Sequence, residues 1–164
     1  MKTIKYLFVV LFLVMMTSCH KEEKKQIRVK LSEAKEIVMT QIIEQDERTL
    51  YSSMNFHLLC QMSELPTSLA SARCIYANGS YNDAGIAMST IEKALEIAIK
   101  IDDSELVTAL YAILDKLRDV QRNATIAKEN YFDYMRYSNP IVSMRGSAKY
   151  AYEKMEECEK MLDK

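Results

Sequence analysis

Between residues 82 and 135 apolar side chains recur at steps of three and four, and no other feature narrows the possible folds as far. One run is Ala84, Ala87, Met88, Ile91, Ala94, Leu95 and Ala98. A second is Leu106, Ala109, Leu110, Ile113 and Leu117, and a third is Ala124, Ala127, Tyr131 and Tyr134. That spacing keeps each run on one face of an α-helix. Only Ile101-Asp102-Asp103 and Arg118-Asp119-Val120 separate the runs. Joints so short make neighbouring helices fold back antiparallel. Three Gly and two Pro among 164 residues argue the same way, because a turn-rich β fold needs more of both. The chain reads as all-α, with room for one domain.

The flanks extend this pattern. Ile27, Leu31, Ala34, Val38 and Ile42 share one helical face, with Ser32 as N-cap and Glu33 in the first turn. From 50 to 65 nearly every side is apolar, as expected of a helix buried between others, and Pro66 closes it. Thr67 caps a helix that runs to about Ala77. Asn78-Gly79-Ser80 ends that helix, with Gly79 suited to a left-handed C-terminal position, and Asn82 or Asp83 caps the long helix that follows. Asn139-Pro140 stops the run that holds Tyr131 and Tyr134. The last helix sets Ile141, Met144, Ala148, Ala151, Met155, Cys158 and Leu162 on a heptad seam. Such a seam either covers the end of the chain's own helices or joins two copies. A monomer capped by this helix is the expected state, and a dimer through 141–162 is the alternative.

Ala72, Gly79, Tyr81 and Ala84 resemble the small-residue Gly-x-Tyr-x-x-Ala spine of a tetratricopeptide repeat. Leu110, Leu114, the stretch 117–120 and Ala124 resemble a second copy, displaced by 39 residues from Gly79 to Arg118. Ser71, Tyr111 and Arg118 depart from the family pattern. The resemblance covers about residues 67–137. It implies antiparallel helical hairpins stacked as a short right-handed solenoid, closed by a C-terminal capping helix. It also implies a concave surface formed by the helices at 67–77 and 104–117, where Tyr76 and Tyr111 would anchor a bound protein or peptide segment. Both tyrosines also suit core packing, and Tyr131 and Tyr134 are assigned to the core.

At the N-terminus Lys2 and Lys5 precede an uninterrupted apolar run from 6 to 16. That run is too short to span a bilayer as a stable helix and reads as a signal peptide. It ends in Met-Thr-Ser-Cys, which resembles the lipobox of bacterial lipoproteins, with Met16 where the pattern prefers Leu. The resemblance implies that Cys19 is lipidated and becomes the first residue of the mature chain. Lys21, Glu22 and Glu23 resemble the surface-export signal of some Gram-negative lipoproteins, and the same charges suit a solvated tether. The implied location is the outer membrane, facing the cell surface, with the periplasmic side as the alternative. The expected organisation is a signal peptide at 1–18, a tether at 19–26 without ordered structure, and one helical domain at 27–164.

Catalytic signals are scarce. His57 and Cys60 stand one turn apart, with Cys74 a conceivable third ligand or a disulfide partner of Cys60. A lone His on an apolar helix is more often a core residue, so no metal is expected. Neither a Gly-rich phosphate loop nor a nucleophile elbow is present. The formal charge is −1, without the basic stripe that phosphate backbones require, so a nucleic-acid partner is not expected. The sequence therefore points to a lipid-anchored helical protein that binds a protein or peptide and has no cofactor. A structural subunit of an outer-membrane assembly is the second reading, and an enzyme is the third.

Overall fold

The computed structural model describes residues 2–45 and 65–163, with side chains for 20–45, 70–133 and 135–163. Apolar stripes of helical period can be buried only if the backbone stays helical, and the described residues follow that rule. They form α1 (Lys2–Ile37), a π-helical turn that continues it (Val38–Ile43), α2 (Leu65–Lys100), α3 (Ser104–Glu129) and α4 (Tyr134–Met161), with no strand among them. The protein is all-α. No helix among the described residues is long and apolar enough to cross a membrane. The apolar stretch at 50–64, with His57 and Cys60, lies outside the described residues.

Polar contacts fix how the helices run. Gln121 donates to the Tyr81 carbonyl at 3.1 Å and Lys128 to Asn78 at 2.8 Å, so α2 and α3 are antiparallel. The Lys116 ammonium lies 5.7 Å from the centre of the Tyr150 ring, which joins α3 to α4. Arg28 pairs with Asp163 at 2.5 Å, Lys35 with Glu159 at 2.7 Å, and Arg145 donates to the Ile43 carbonyl at 2.5 Å. These three contacts place α1 antiparallel to α4. The Tyr76 hydroxyl donates to the Ile42 carbonyl at 2.8 Å, tying α1 to α2. Each helix thus touches two others in an up-down-up-down ring around one core.

Every position of the α1 stripe (Ile27, Leu31, Ala34, Val38 and Ile42) is buried. So is the α4 seam from Ile141 to Leu162, which faces this chain's own core. Alanines dominate the buried stripe of α2 (Ala77, Ala84, Ala87, Ala94 and Ala98), and α3 buries Leu106, Leu110, Ile113, Leu117, Val120, Ala124 and Ala127. Small side chains let the two axes approach closely.

Two joints lie where the sequence puts breaks. Asp102 adopts φ 57°, and the N–H groups of Asp102 and Asp103 reach back to the Ile99 and Ala98 carbonyls at 3.1 and 3.2 Å. This is a Schellman closure with Asp in the place usually held by Gly. Asp103 then caps α3, its side chain accepting from the Leu106 N–H at 3.0 Å. Asp133 caps α4 by accepting from Met135 and Arg136. Tyr131 lies half-buried in the joint before it.

The other expected breaks are helix interior. Asn78-Gly79-Ser80 sits in the middle of α2 and Arg118-Asp119-Val120 in the middle of α3, so both joints on which the repeat resemblance rested are absent. The reason is the stripe itself. Ala77, Ser80 and Ala84 carry the three-four rhythm across Gly79, while Leu117, Val120 and Ala124 carry it across Arg118, and all six are buried. Burying a continuous stripe outweighs the weak preference of one Gly for a turn. Gly79 has no positive φ. Pro140 does not stop a helix; it lies inside α4, where Tyr137, Ile141 and Met144 remain in step and buried. Pro66 and Thr67 both fall in the first turn of α2, where a missing N–H is harmless, so Thr67 is not the cap. Ser32 is likewise interior to α1 and caps nothing. Residues 20–26, expected to lack order, continue α1 as helix, with His20 3.6 Å from Glu23 one turn on.

Candidate functional site

A partner surface is made of side chains that the fold leaves uncovered, so Tyr76 and Tyr111 are the first to locate. Tyr76 is buried among the core residues of α1 and α2. Its hydroxyl donates to the carbonyl of Ile42, near the end of the π-helical turn. Arg145 meets the next carbonyl, at Ile43, from α4. The wider turn, marked by the Glu44 N–H bonding to Met39 O at 2.9 Å, ends α1 with its carbonyls aimed at these two donors. Tyr76 is therefore a structural tether and is not part of an outer surface, contrary to the binding role expected for it. Tyr111 is 53% exposed on α3 and remains a surface residue. The structure does not bring the two together.

Other large apolar side chains stand out in solvent and were not singled out from the sequence. Met135, Val142 and Phe132 are 75%, 71% and 69% exposed, the three highest values among the large apolar side chains described. All three lie at the start of α4 or in the joint before it, at the end of the bundle remote from residues 20–27. Phe132 stacks at a tilt on Tyr131, with ring centres 4.2 Å apart. Nearby, Arg73 of α2 donates to the Tyr131 carbonyl at 3.5 Å and lies 5.4 Å from the Tyr137 ring centre. Met135 and Val142 are seven residues apart, the same spacing as the buried seam but on the opposite side of the helix. That second heptad was the signal available in the sequence, hidden because the inner stripe of the same helix is stronger.

Between α2 and α3 an open groove of about 510 Å³ is lined by Tyr81, Gly85, Ile86, Lys93 and Gln121 among others. Gly85 lets the helices close here, since a Cβ on it would come within 3.1 Å of the Gln121 amide nitrogen. Asp83 is half-buried nearby on α2, and burial raises its carboxyl pKa. The remaining titratable groups with altered behaviour serve the fold. Burial, the largest single effect, opposes the charge of Lys35, but the hydrogen bond to Glu159 together with attraction from Glu159, Tyr152 and Glu156 outweighs it and raises the pKa. Cys158 is a fully buried free thiol, pushed up to about 11 chiefly by burial.

Cys74 is a half-buried free thiol, and Cys60, with which a disulfide was conceivable, lies outside the described residues. Among the described residues no group of His, Cys, Asp and Glu side chains is arranged to hold a metal ion. The side chains of Cys19 and the apolar run before it lie outside the described residues. Lys21 and Glu22 are exposed and Glu23 is half-buried on the first turns of α1 that are described with side chains. Compared with protein-family models, with curated proteins and with solved structures, the chain matches none.

Proposed function

We propose that the protein is a lipid-anchored binding module of the bacterial cell envelope, held through Cys19 and engaging a protein or peptide segment with the outer face of its helical bundle. The observation that carries this reading is the polarity of the bundle. Its first core residue, Ile27, is only about two helical turns beyond Cys19, while the most exposed apolar side chains lie at the other end of α4. At 1.5 Å per residue, α4 separates the two ends by about 40 Å. An anchor at Cys19 would thus seat one end of the bundle at the membrane and carry Phe132, Met135 and Val142 away from it. Lys21, Glu22 and Glu23 follow the anchor directly, where an export signal for the cell surface would be read.

Only a cysteine sulfur can take the thioether-linked lipid, and an anchor of two or more chains holds stably where a single chain does not. Cys19→Ser should release the protein from the membrane fraction or leave an unprocessed precursor. Protease shaving of intact cells reports the side in the same experiment. Unchanged processing and membrane partition in Cys19→Ser would contradict the anchor.

A further inference from the structure

The segment between Cys19 and the first core residue is part of the bundle. His20, Glu23, Lys24 and Ile27 follow one another at helical steps on one face of α1, the first three half-buried and Ile27 fully buried. Lys21, Glu22 and Lys25, on the other sides, are exposed. The inner face thus carries the buried stripe of Leu31, Ala34 and Val38 on towards the N-terminus. His20 and Lys24 line an open cleft of about 480 Å³ together with the α2–α3 joint at residues 101–105. That joint therefore lies level with His20, the residue next to Cys19. Beside it, in the last turn of α2, Ile99 is 54% exposed, with exposed Lys100 and Asp102 close by in the chain.

We infer that the α2–α3 joint is a membrane-contact surface, held in the phospholipid headgroup layer by residues 20–26 acting as a helical strut. The inference rests on the lipid-anchor reading above and deepens it, naming the surface that meets the membrane and the element that keeps it there. Distance decides between a strut and a leash. Eight residues separate Cys19 from Ile27. As an extended leash they would let the bundle stand off by up to about 28 Å. As helix they span only about 12 Å, and they are helix. A lipid on Cys19 fixes its sulfur at the edge of the hydrocarbon, under a headgroup layer about 5–8 Å deep. The next residue, His20, already lines the cleft with the joint, so the joint shares that layer. The occupant is thus selected by covalent attachment and reach, not by the charge of the surface.

The test places the chain, purified from cells with its N-terminus as processed there, in phosphatidylcholine nanodiscs that carry nitroxide on some headgroups. A fluorescent noncanonical residue replaces exposed Ser104 in one sample and exposed Val142 in another. The contact of Arg145 with Ile43 sets that part of α4 about 35 Å from His20 along α1, beyond the reach of a headgroup quencher. The probe at Ser104 should lose most of its emission and the probe at Val142 almost none. A Gly-Ser leash of about 20 residues inserted between Cys19 and His20, spanning about 25 Å on average, should restore most of the Ser104 emission. An unchanged melting temperature in the leash variant separates lost contact from lost folding. Mass spectrometry of the N-terminal peptide is read on the same samples. A chain without lipid on Cys19 would overturn the anchor reading and the inference with it. A lipidated chain with equal quenching at the two positions, or with Ser104 quenching unchanged by the leash, would overturn the inference and leave the anchor intact.

Discussion

Tyr76 shows how one hydroxyl changes the meaning of a residue. Its ring fits a binding anchor as well as a core position, but the 2.8 Å bond to the Ile42 carbonyl assigns it to the fold. Removing that hydroxyl alone, in Tyr76→Phe, should cost about 1 kcal/mol, or somewhat more because the Ile42 carbonyl is left in a buried setting. Tyr76→Ala also empties the site and should cost about 3–5 kcal/mol by urea denaturation. A surface tyrosine would show neither loss. Cys158 makes a pH-dependent case. Its thiol, raised from an ordinary value of 9.0 to about 11 in the folded protein, must ionise more easily once unfolding exposes it. The folded state therefore holds its full advantage below pH 9, and that advantage is lost as the pH rises towards 11. Stability measured against Cys158→Ala should show this loss between those limits as a difference of about 2–3 kcal/mol. A constant difference between the two proteins across that range would mean that the thiol is not buried as described.

Gly79 decides between two descriptions of a whole element. At the end of a helix, in a left-handed conformation, glycine cannot be replaced by alanine without strain. In the middle of α2, where a Cβ would meet nothing closer than a carboxylate oxygen of Asp83 at 4.0 Å, alanine is the better residue. Gly79→Ala should therefore stabilise the protein by about 0.5–1 kcal/mol in thermal or chemical denaturation. A loss of stability would restore the turn and with it the repeat-like hairpin. The lesson for reading such chains is specific. The stripes were legible because helical period and burial are one physical fact seen twice, and each apolar run named from the sequence for α2 and α4 is predominantly buried. The joints were less legible because turn residues carry only local preferences. Ile101-Asp102-Asp103 is legible as a joint, since there the stripe itself loses its rhythm between Ala98 and Leu106. Asn78-Gly79-Ser80 misleads because its turn chemistry is local, while the buried stripe of Ala77, Ser80 and Ala84 runs on through it. Pro140 repeats the error: one missing N–H in α4 is outweighed by the seam on both sides of it.

At the scale of the molecule, the sequence predicts antiparallel helices but not which helix meets which, because short joints fix only neighbours in sequence. The contact between α1 and α4 depends on groups more than a hundred residues apart, such as Arg28 with Asp163 and Lys35 with Glu159. Ion pairs of this kind add little stability at an exposed site, but they report register. They also bear on which face of α4 is exposed. If α1 closes the ring against α4, the buried seam of α4 is spent within the chain. The outward pair of Met135 and Val142 is hard to see in the sequence, since two stripes on one helix look like a single strongly apolar helix until the inner one is assigned. The most direct measurement is zero-length carbodiimide coupling followed by peptide mapping of the monomer. Lys35 lies 2.7 Å from Glu159 and 3.8 Å from Glu156, so an intrachain link from Lys35 to one of them is the predicted product, alongside the local control link Lys30–Glu33 at 2.7 Å. Formation of the local link with no α1–α4 link would contradict the closed bundle and the surface assignment that follows from it.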